Sequence, residues 1–520
     1  MKYQNVIAFD LGASSGRGIM GEFDGEKLSL SEVHRFVHNF SLVNNHAYWD
    51  TLYLFDSMKE ALQKAPGEIS SIGFDTWGVD IALIDKQGNP VGFPMSYRDS
   101  ALNDDNMNEA LAEIAKACKV GDELVNVALA GDAASAGANS GSNADLTALG
   151  EKIAFNKTGI ASLAYNTLYK LYYLKKVMPY QLENADKMLF MPNFFEYLFS
   201  GEVHNEYSIA STSECYDMFN YCWNKDIINA LGFPERIFTN VDFAGKNLGN
   251  IRADIAEFTG KKSVNVISVS GHDTACACAA VPATEENFTF LSSGTWSLIG
   301  ISSKKPLTGD NIIRDKISNE GTYDGGYRPT VNIIGLWIIQ ELRRNFKSEG
   351  KDYSFAEMAE MAEKVGVSAS FIIPDDFMLA GNYPEKIRNY CKETGQKVPE
   401  NDAELVSCVL TSLALRYRQV YETFKPYITW EEKLYIVGGG VNNKVLCQFT
   451  ANSLGIPVIT GAGEATAVGN VMQQLKAIGE FNTAEEKCDI LAKSFETNVY
   501  EPRDREAWDE AYTKFLKLQG

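Results

Sequence analysis

The sequence predicts an α/β protein of two related lobes that meet at a cleft, and three observations support this class. Short apolar strands alternate with segments of helical spacing along the 520 residues. Each half opens with a predicted β-hairpin whose turn is rich in glycine and serine, at residues 11–16 and again at residues 292–295. The composition, 45% hydrophobic and 22% charged, is ordinary for a chain that buries a large core. The boundary between the lobes is predicted near Val281 and Pro282.

The first half is expected to form a hairpin, two more strands and a helix. A buried strand ends at Asp10, and the chain returns after a small-residue turn. The predicted strands are 6–9, 17–23, 71–75 and 79–84, the last two lying around a turn, and the predicted helix is 165–177.

The second half is expected to repeat this pattern and to end in a helix. Gly461 to Thr466 resembles a dinucleotide-binding fingerprint, but Thr466 replaces its third glycine, so the start of a helix that reaches Gly479 is favoured. The other predicted elements are strands 288–291 and 296–301, a helix 403–424, and strands 433–437 and 457–460.

One stretch breaks the alternation. Residues 130–145 consist only of Ala, Gly, Ser, Asn and Asp, which leaves no large apolar side chain to drive packing. A surface loop is therefore predicted, either a passive insertion or a lid over a ligand.

Charge and cysteine content restrict the partners and the compartment. The chain carries 68 acidic and 48 basic residues, a formal charge of −20, which disfavours nucleic acid or an anionic membrane as a partner. Nothing in the sequence is long and apolar enough to predict a membrane span or a signal peptide, so a cytoplasmic protein is expected. Nine cysteines are too few for a disulfide scaffold, and a reduced Cys391–Cys408 pair is favoured over a disulfide.

The first hairpin turn offers groups that suit a phosphate and a metal. Asp10 stands at a strand end, where a carboxylate can hold Mg²⁺ through water. The following turn supplies backbone N–H groups, hydroxyls and the Arg17 guanidinium as donors to phosphate oxygens. A plain glycine-rich hairpin explains this segment equally well in isolation.

Two further segments strengthen the nucleotide interpretation. The turn at residues 292–297 repeats the hydroxyl-and-glycine pattern in the second half. A buried strand then runs into Gly438, Gly439 and Gly440, and residues without Cβ allow a flat ligand to approach the backbone. The three segments together predict a nucleotide cleft.

Two segments suggest catalysis and polyol binding. Asp273 follows an apolar alternation and precedes a small-residue run, so it is predicted at a strand-to-helix junction that faces a cleft. A carboxylate there can accept a proton from an attacking hydroxyl, although a helix N-cap is the better interpretation of the segment alone. Trp77, placed between Asp75 and Asp80 and followed by Arg98, fits either polyol recognition or a structural tryptophan.

At these residues the sequence resembles the FGGY carbohydrate kinases. The ordered motifs that carry the resemblance, over roughly residues 5–476, are DLGASSGR, DTWGVD, YRDS, NTLY, HDTA, SSGTWSL, NIIGLW and IVGGG. The resemblance implies two actin-like (ribonuclease H-like) lobes with a central cleft. It also implies that residues 1–281 bind the sugar and carry the catalytic base, whereas residues 282–520 bind ATP.

The resemblance also implies roles for individual residues. Asp273 is expected to be the general base and Asp10 the Mg²⁺-associated carboxylate. The sugar contacts implied are Gly78, His272, Asp273, Thr274 and Asn332. The ATP contacts implied are Ala13, Ser14, Ser15, Gly16, Arg17, Thr295, Gln340 and Gly439.

The activity implied is ATP-dependent phosphorylation of a ketose at its 1-hydroxyl, and DTWGVD with SSGTWSL favours L-rhamnulose. Three departures lie in the sugar lobe: Gly159 to Ser162 reads GIAS for the usual GIQF, Asn193 replaces an aspartate, and about residues 120–152 form an insertion. Another ketose such as L-fuculose, or a non-catalytic sugar- or nucleotide-binding protein, is the alternative. A small-molecule sugar and ATP are thus the expected partners.

Overall fold

A computed structural model describes residues 3–118 and 143–519. Most of the predicted low-complexity loop at 130–145, and much of the insertion at 120–152, lies outside the described residues. The predicted boundary between lobes 1–281 and 282–520 stays a prediction.

The first half is built around a six-stranded sheet of order β3-β2-β1-β6-β14-β13. The strands β1, β6 and β14 run parallel, and β2, β3 and β13 are antiparallel to their neighbours. The strands of this half are β1 Gln4–Leu11, β2 Ser15–Phe23, β3 Leu28–Val37, β4 Phe40–Val43, β5 His46–Trp49, β6 Ser71–Thr76, β7 Ile81–Ile84, β8 Lys187–Phe190, β9 Asn205–Glu206, β10 Tyr216–Asp217, β11 Cys222–Trp223, β12 Val241–Asp242, β13 Lys246–Asn250 and β14 Asn265–Ser268.

The second half repeats this arrangement in a seven-stranded sheet of order β17-β18-β16-β15-β19-β20-β21. Its central strands β15, β19 and β20 are again parallel, and antiparallel strands flank them on both sides. The strands are β15 Phe288–Ser293, β16 Trp296–Ser302, β17 Ser318–Gly321, β18 Tyr327–Ile334, β19 Leu434–Val437, β20 Val458–Thr460 and β21 Val499–Tyr500.

Helices cover the sheets and join the strands. They are α1 Thr51–Lys64, α2 Asp104–Ala117, α3 Asn143–Thr158, α4 Thr167–Val177, α5 Pro179–Asn184, α6 Met191–Ser200, α7 Tyr207–Ala210, α8 Lys225–Ala230, α9 Ala253–Thr259, α10 Asp273–Ala279, α11 Asp310–Arg314, α12 Trp337–Ser348, α13 Phe355–Val365, α14 Tyr383–Glu393, α15 Asp402–Phe424, α16 Lys444–Leu454, α17 Ala465–Ala477, α18 Ala484–Ser494 and α19 Arg505–Leu516. None of the helices in the described ranges has the length and apolarity needed to cross a bilayer.

Most predicted elements form close to their expected bounds, because their apolar residues recur with the period of the helix or strand face that is buried. The two predicted strands on either side of Trp77 both form, as β6 and β7. They belong to different sheets, since β7 pairs with β8 and only β6 joins the main sheet. The favoured helix after Gly461 is confirmed, as α17.

All nine cysteines are free thiols, including the buried Cys391 and Cys408. The neighbouring thiol of Cys408 lowers the pKa of Cys391. The structure therefore has the reduced pair that the sequence favoured.

The helix α17 comes from the second half but packs against the first sheet. Its Gln474 accepts a hydrogen bond from Ser71 and donates one to the carbonyl of Ile7 at 2.9 Å. A Cβ on Gly469 would lie 1.8 Å from the carbonyl oxygen of Cys276, so only glycine permits this crossing of α17 with α10. The N-terminal end of α10 is thus fixed by a helix from the other half.

Candidate active site

The carboxyl ends of the three parallel strands of the first sheet bring three aspartates together. Asp10 and its register partner Asp75 are the penultimate residues of β1 and β6, and Asp273 follows β14 as the first residue of α10. Open α/β sheets bind ligands at this edge. Burial raises the pKa of Asp75 well above its usual value, and the charge of Asp10 raises it further.

Arg17 partly neutralises this acidic edge. It lies opposite Asp10 in the β1–β2 hairpin and pairs with that carboxylate. Burial raises the pKa of Asp10 while Arg17 opposes the change, and the charges of Asp273 and Glu464 raise it further. The guanidinium also contacts Glu464, with 2.6 Å between Nη1 and Oε2.

The predicted phosphate turn is a tight hairpin with an accessible tip. The N–H of Gly12 donates to the carbonyl of Ser15 at 3.0 Å, and Ser14 is exposed, with Ala13 and Ser15 half-buried. A Cβ on Gly16 would lie 2.3 Å from the ring of Phe36, so packing against β3 requires a glycine at this position.

The second predicted ATP segment gathers Thr295, Gln340 and Gly439 near the end of β15. The amide of Gln340 donates to the hydroxyl of Thr295 at 3.5 Å, and both residues are at least partly accessible. A Cβ on Gly438 or Gly440 would contact Ser293, whereas nothing lies within 4 Å at Gly439. The expectation of three ligand-facing glycines is therefore corrected: two of them allow close packing on β15, and Gly439 alone borders open space.

A loop that the sequence did not assign to the site joins these two segments. It precedes α17 and carries Glu464, which pairs with Arg17. A Cβ on the adjacent Gly463 would lie 3.5 Å from Val441 and 3.6 Å from Asn442, in the short helical turn that begins at Gly439. This loop thus lies between the two turns that were predicted to hold ATP.

The candidate base lies among three of the predicted sugar contacts. His272, the N-cap of α10, continues β14 beside Thr76, and a Cβ on Gly78 would lie 3.4 Å from its Nε2. The segment alone favoured Asp273 as the N-cap of this helix, and that interpretation is wrong by one position. The side chain of Asp273 is 33% exposed, compared with 11% for His272.

Donors converge on one oxygen of Asp273. Oδ1 accepts the backbone N–H of Thr274 at 2.6 Å and its hydroxyl at 3.1 Å, and His272 Nε2 lies 3.4 Å away. Within the part of the chain that the structure describes, Oδ2 has no hydrogen-bond partner. One oxygen is anchored and the other is left for a ligand.

Glu320 and Arg328 complete this cluster from the second sheet, and sequence reasoning missed both. They are register partners on β17 and β18, and they form an ion pair. Burial acts against ionisation of Glu320, but Arg328 and His272 lower its pKa to about 2. No local motif signals the pair, because it contacts His272 across about fifty residues of chain.

Asn332 lies further along β18 and is exposed. Burial raises the pKa of the nearby Tyr165 to about 12, while Asn332 opposes the rise and the charge of Glu320 adds to it. The structure therefore brings Asn332 to the same cluster, through Tyr165 rather than by direct contact with Asp273.

The DTWGVD segment is mainly structural. Asp80 is fully buried and accepts the indole N–H groups of Trp49 at 2.5 Å and Trp77 at 2.8 Å, and it pairs with the buried Lys170. Val79 has a φ of 65°, which is strained for a β-branched residue. These interactions fix the backbone at Gly78 beside His272.

The donor set suits a cation that is held mainly by water and phosphate. Among residues 3–118 and 143–519 no group of three or more His, Cys, Asp or Glu is arranged to hold a metal directly. Buried Asp75 Oδ1 nevertheless has no hydrogen-bond partner beside Asp10. Mg²⁺ typically keeps several waters and takes one or two carboxylates together with substrate phosphates, so these residues fit it.

Comparison with known proteins assigns the family. The N-terminal domain model of the FGGY family of carbohydrate kinases matches residues 137–280, and the C-terminal domain model matches residues 289–478. Together they cover more than half of the chain. The chain belongs to the FGGY family. It is accordingly an ATP-dependent carbohydrate kinase.

Individual relatives agree with the family models. A rhamnulokinase from Bacteroides thetaiotaomicron is 36% identical over 98% of this FGGY chain and 99% of its own length. A rhamnulokinase from Oceanobacillus iheyensis is 34% identical over 95% of this chain and 97% of its own. The crystal structure of a xylulose kinase from Rhodospirillum rubrum has a TM-score of 0.76 at 16% identity, covering 99% of this chain and 98% of that one. The predicted α/β fold of two actin-like (ribonuclease H-like) lobes is thereby confirmed.

Proposed function

We propose that this kinase phosphorylates L-rhamnulose at its 1-hydroxyl with ATP and Mg²⁺, giving L-rhamnulose 1-phosphate in L-rhamnose catabolism. Relatives that match nearly its whole length at 33–36% identity include several rhamnulokinases. Asp273 acts as the general base, with Gly78, His272, Thr274 and Asn332 binding the sugar.

The geometry of Asp273 is the observation that carries the mechanism. Its Oδ1 accepts two hydrogen bonds from Thr274 and lies 3.4 Å from His272 Nε2, whereas Oδ2 has no hydrogen-bond partner in the described structure and the side chain is partly exposed. A carboxylate with one anchored oxygen has a fixed orientation for the other, which reduces the entropy cost of aligning base and hydroxyl.

In the proposed reaction, Asp273 takes the proton of the 1-hydroxyl as its oxygen attacks the γ-phosphorus of ATP. The bond to the β,γ-bridging oxygen breaks and ADP leaves in line with the attack. Arg17 and the turn residues Ala13 to Gly16 bind phosphate oxygens, and Thr295, Gln340 and Gly439 bind the rest of the nucleotide. Mg²⁺ near Asp10 would supply charge neutralisation on the phosphates.

Two departures from the family pattern have internal partners in the structure. The hydroxyl of Ser162 donates to buried Glu214. Asn193 donates to Glu196 at 2.7 Å and accepts the N–H of Glu206 at 3.1 Å. Because both side chains are buried and bonded within the protein, they shape the sugar pocket indirectly, and L-fuculose remains the alternative substrate.

A coupled ADP-release assay tests this proposal on wild-type enzyme and Asp273→Asn. With L-rhamnulose, L-fuculose, L-xylulose and L-ribulose as acceptors, wild-type kcat/KM should be highest for L-rhamnulose by roughly tenfold or more. Asp273→Asn should lose turnover by roughly a hundredfold or more while its ATP affinity, measured by calorimetry, stays the same.

Other outcomes would redirect the assignment. Equal, weak turnover of all four sugars by the wild-type enzyme contradicts L-rhamnulose as substrate. Full turnover by Asp273→Asn contradicts its role as base. ATP and sugar binding without any ADP release by the wild-type enzyme would support the non-catalytic alternative.

A further inference from the structure

The second sheet contacts the candidate base through one histidine. Arg328 is fully buried, and its Nη2 lies 3.0 Å from His272 Nδ1. Glu320 Oε2 lies 3.1 Å from the same nitrogen and pairs with the same guanidinium. His272 Nε2, on the opposite side of the ring, faces Asp273 Oδ1 at 3.4 Å.

Donor and acceptor chemistry determines which ring nitrogen carries the proton. A guanidinium can only donate, so a hydrogen bond from Arg328 requires a lone pair on Nδ1 and places the proton of neutral His272 on Nε2. If the ring is doubly protonated, Nδ1 donates to Glu320 and Nε2 still carries a proton. When Arg328 donates to Nδ1, or when the ring is doubly protonated, His272 therefore presents an N–H to Asp273.

Other ionisable groups near this contact do not compete for the proton. Tyr165 faces Glu320 with a pKa raised to about 12 by burial, and Cys278 near Arg328 has a pKa raised to about 12 for the same reason. Glu206 accepts the N–H of Gly271, and burial raises its pKa. The groups that face the ring itself are thus Asp273, Glu320 and Arg328.

We propose that Glu320 and Arg328 are positioning residues for catalysis: they hold His272 with its proton on Nε2, so that it orients Asp273 from the other half of the molecule. This inference rests on the proposed role of Asp273. It places two residues of the second sheet in the sugar site and gives the ion pair a function besides stability.

Replacing Arg328 by methionine should change the pH dependence of catalysis. Neutral His272 would then donate from Nδ1 to Glu320 and present a lone pair to Asp273, which disturbs the base. Near neutral pH kcat should therefore fall roughly ten- to a hundredfold, with partial recovery in acid, where a second ring proton would restore the N–H donor at Nε2. KM for the sugar should change little, because no substrate contact is removed.

Two variants restore the donor. Arg328→Lys retains an N–H for Nδ1 and should regain most of the wild-type pH profile. Arg328→Met/Glu320→Gln is neutral and offers an amide N–H, whereas Arg328→Met/Glu320→Leu offers none. The kcat of the Gln double variant should exceed that of the Leu double variant roughly tenfold. This comparison decides the question even if Arg328→Met alone fails to fold, since neither double variant buries an unpaired charge.

Lys304→Met is the matched control. It removes another ion pair, in which Lys304 contacts Asp324 of the β17–β18 turn at 2.8 Å, and it should leave kcat and its pH profile unchanged. A wild-type pH profile in Arg328→Met, a change in KM alone, or equal kcat in the two double variants would overturn the proposal. Asp273→Asn tests the role of the base separately. If that variant is inactive while Arg328→Met keeps the wild-type pH profile, the positioning role is rejected and the proposed function still holds.

Discussion

At the residue scale, one buried carboxyl group near the predicted sugar segment makes the stability of the folded state depend on pH. Glu214 is fully buried, has a φ of 59°, and accepts hydrogen bonds from Ser162, Asn166 and Tyr169. Burial raises its pKa to about 7, although these donors oppose the rise. Asn166 also immediately precedes α4, whose Lys170 pairs with Asp80, so the protonation of Glu214 is coupled to the packing beside Gly78.

This raised pKa predicts that Glu214 makes the folded state less stable as pH rises. Between its unfolded pKa of about 4.3 and about 7 the folded state binds the extra proton, so the stability contributed at low pH is lost across this window. Glu214→Gln mimics the protonated acid. Its free energy of unfolding in urea should match that of wild type near pH 5 and exceed it by about 3 kcal/mol near pH 8.

Glu285→Gln provides the control for this titration. Burial acts on Glu285 too, but the Lys433 ammonium lowers its pKa, so the difference between this variant and wild type should stay constant from about pH 5 to 8. If Glu214→Gln also differs from wild type by a constant amount, then Glu214 does not titrate in this range.

The crossing of α10 and α17 links stability to catalysis at the level of elements. Gly469→Ala would place a methyl group against the carbonyl of Cys276, and the resulting overpacking should cost about 1–3 kcal/mol. Because α10 begins with Asp273, displacing this helix should also lower kcat, roughly tenfold or more. Urea unfolding and the ADP-release assay measure the two effects.

Gly150→Ala separates a general packing defect from this specific one. In α3, a Cβ at Gly150 would lie 2.0 Å from the carbonyl oxygen of Leu111 on α2, a crossing of the same kind in another part of the first half. It should destabilise the protein similarly and leave kcat unchanged. Equal losses of kcat in both variants would show that α17 has no special role in placing the base.

Sequence patterns predicted the elements whose formation depends on residues close together in the chain. The turn before Arg17 and the start of α10 follow from short stretches of small, polar and apolar residues, and both lie where the periodicity indicates. Strand pairing could not be predicted in this way, since β7 joins β8 through contacts between residues about one hundred positions apart in the chain. Arg328 and Glu320 were missed for the same reason, whereas Gly438 and Gly440 were misinterpreted because their close neighbour is Ser293 and not a ligand.

On the scale of the whole molecule, an acidic protein must bind an acidic nucleotide. The formal charge is −20, and the basic group at the predicted phosphate turn, Arg17, already pairs with Asp10 and Glu464. Backbone N–H groups and hydroxyls can bind phosphate at contact distance but exert little attraction beyond it. The long-range field on an approaching ATP anion is therefore repulsive.

This field predicts that moderate salt accelerates ATP capture. The Debye length falls from about 30 Å at 0.01 M to about 8 Å at 0.15 M ionic strength, which screens the distant acidic surface while leaving contact interactions largely intact. The kcat/KM for ATP, measured with Mg²⁺ in fixed excess, should rise roughly two- to tenfold over this range. The kcat/KM for the uncharged sugar at saturating ATP should stay constant, and potassium acetate should reproduce the effect of potassium chloride. A basic nucleotide site would instead give a kcat/KM for ATP that falls as salt is added. Such a fall would contradict the prediction that local donors bind ATP within a repulsive field.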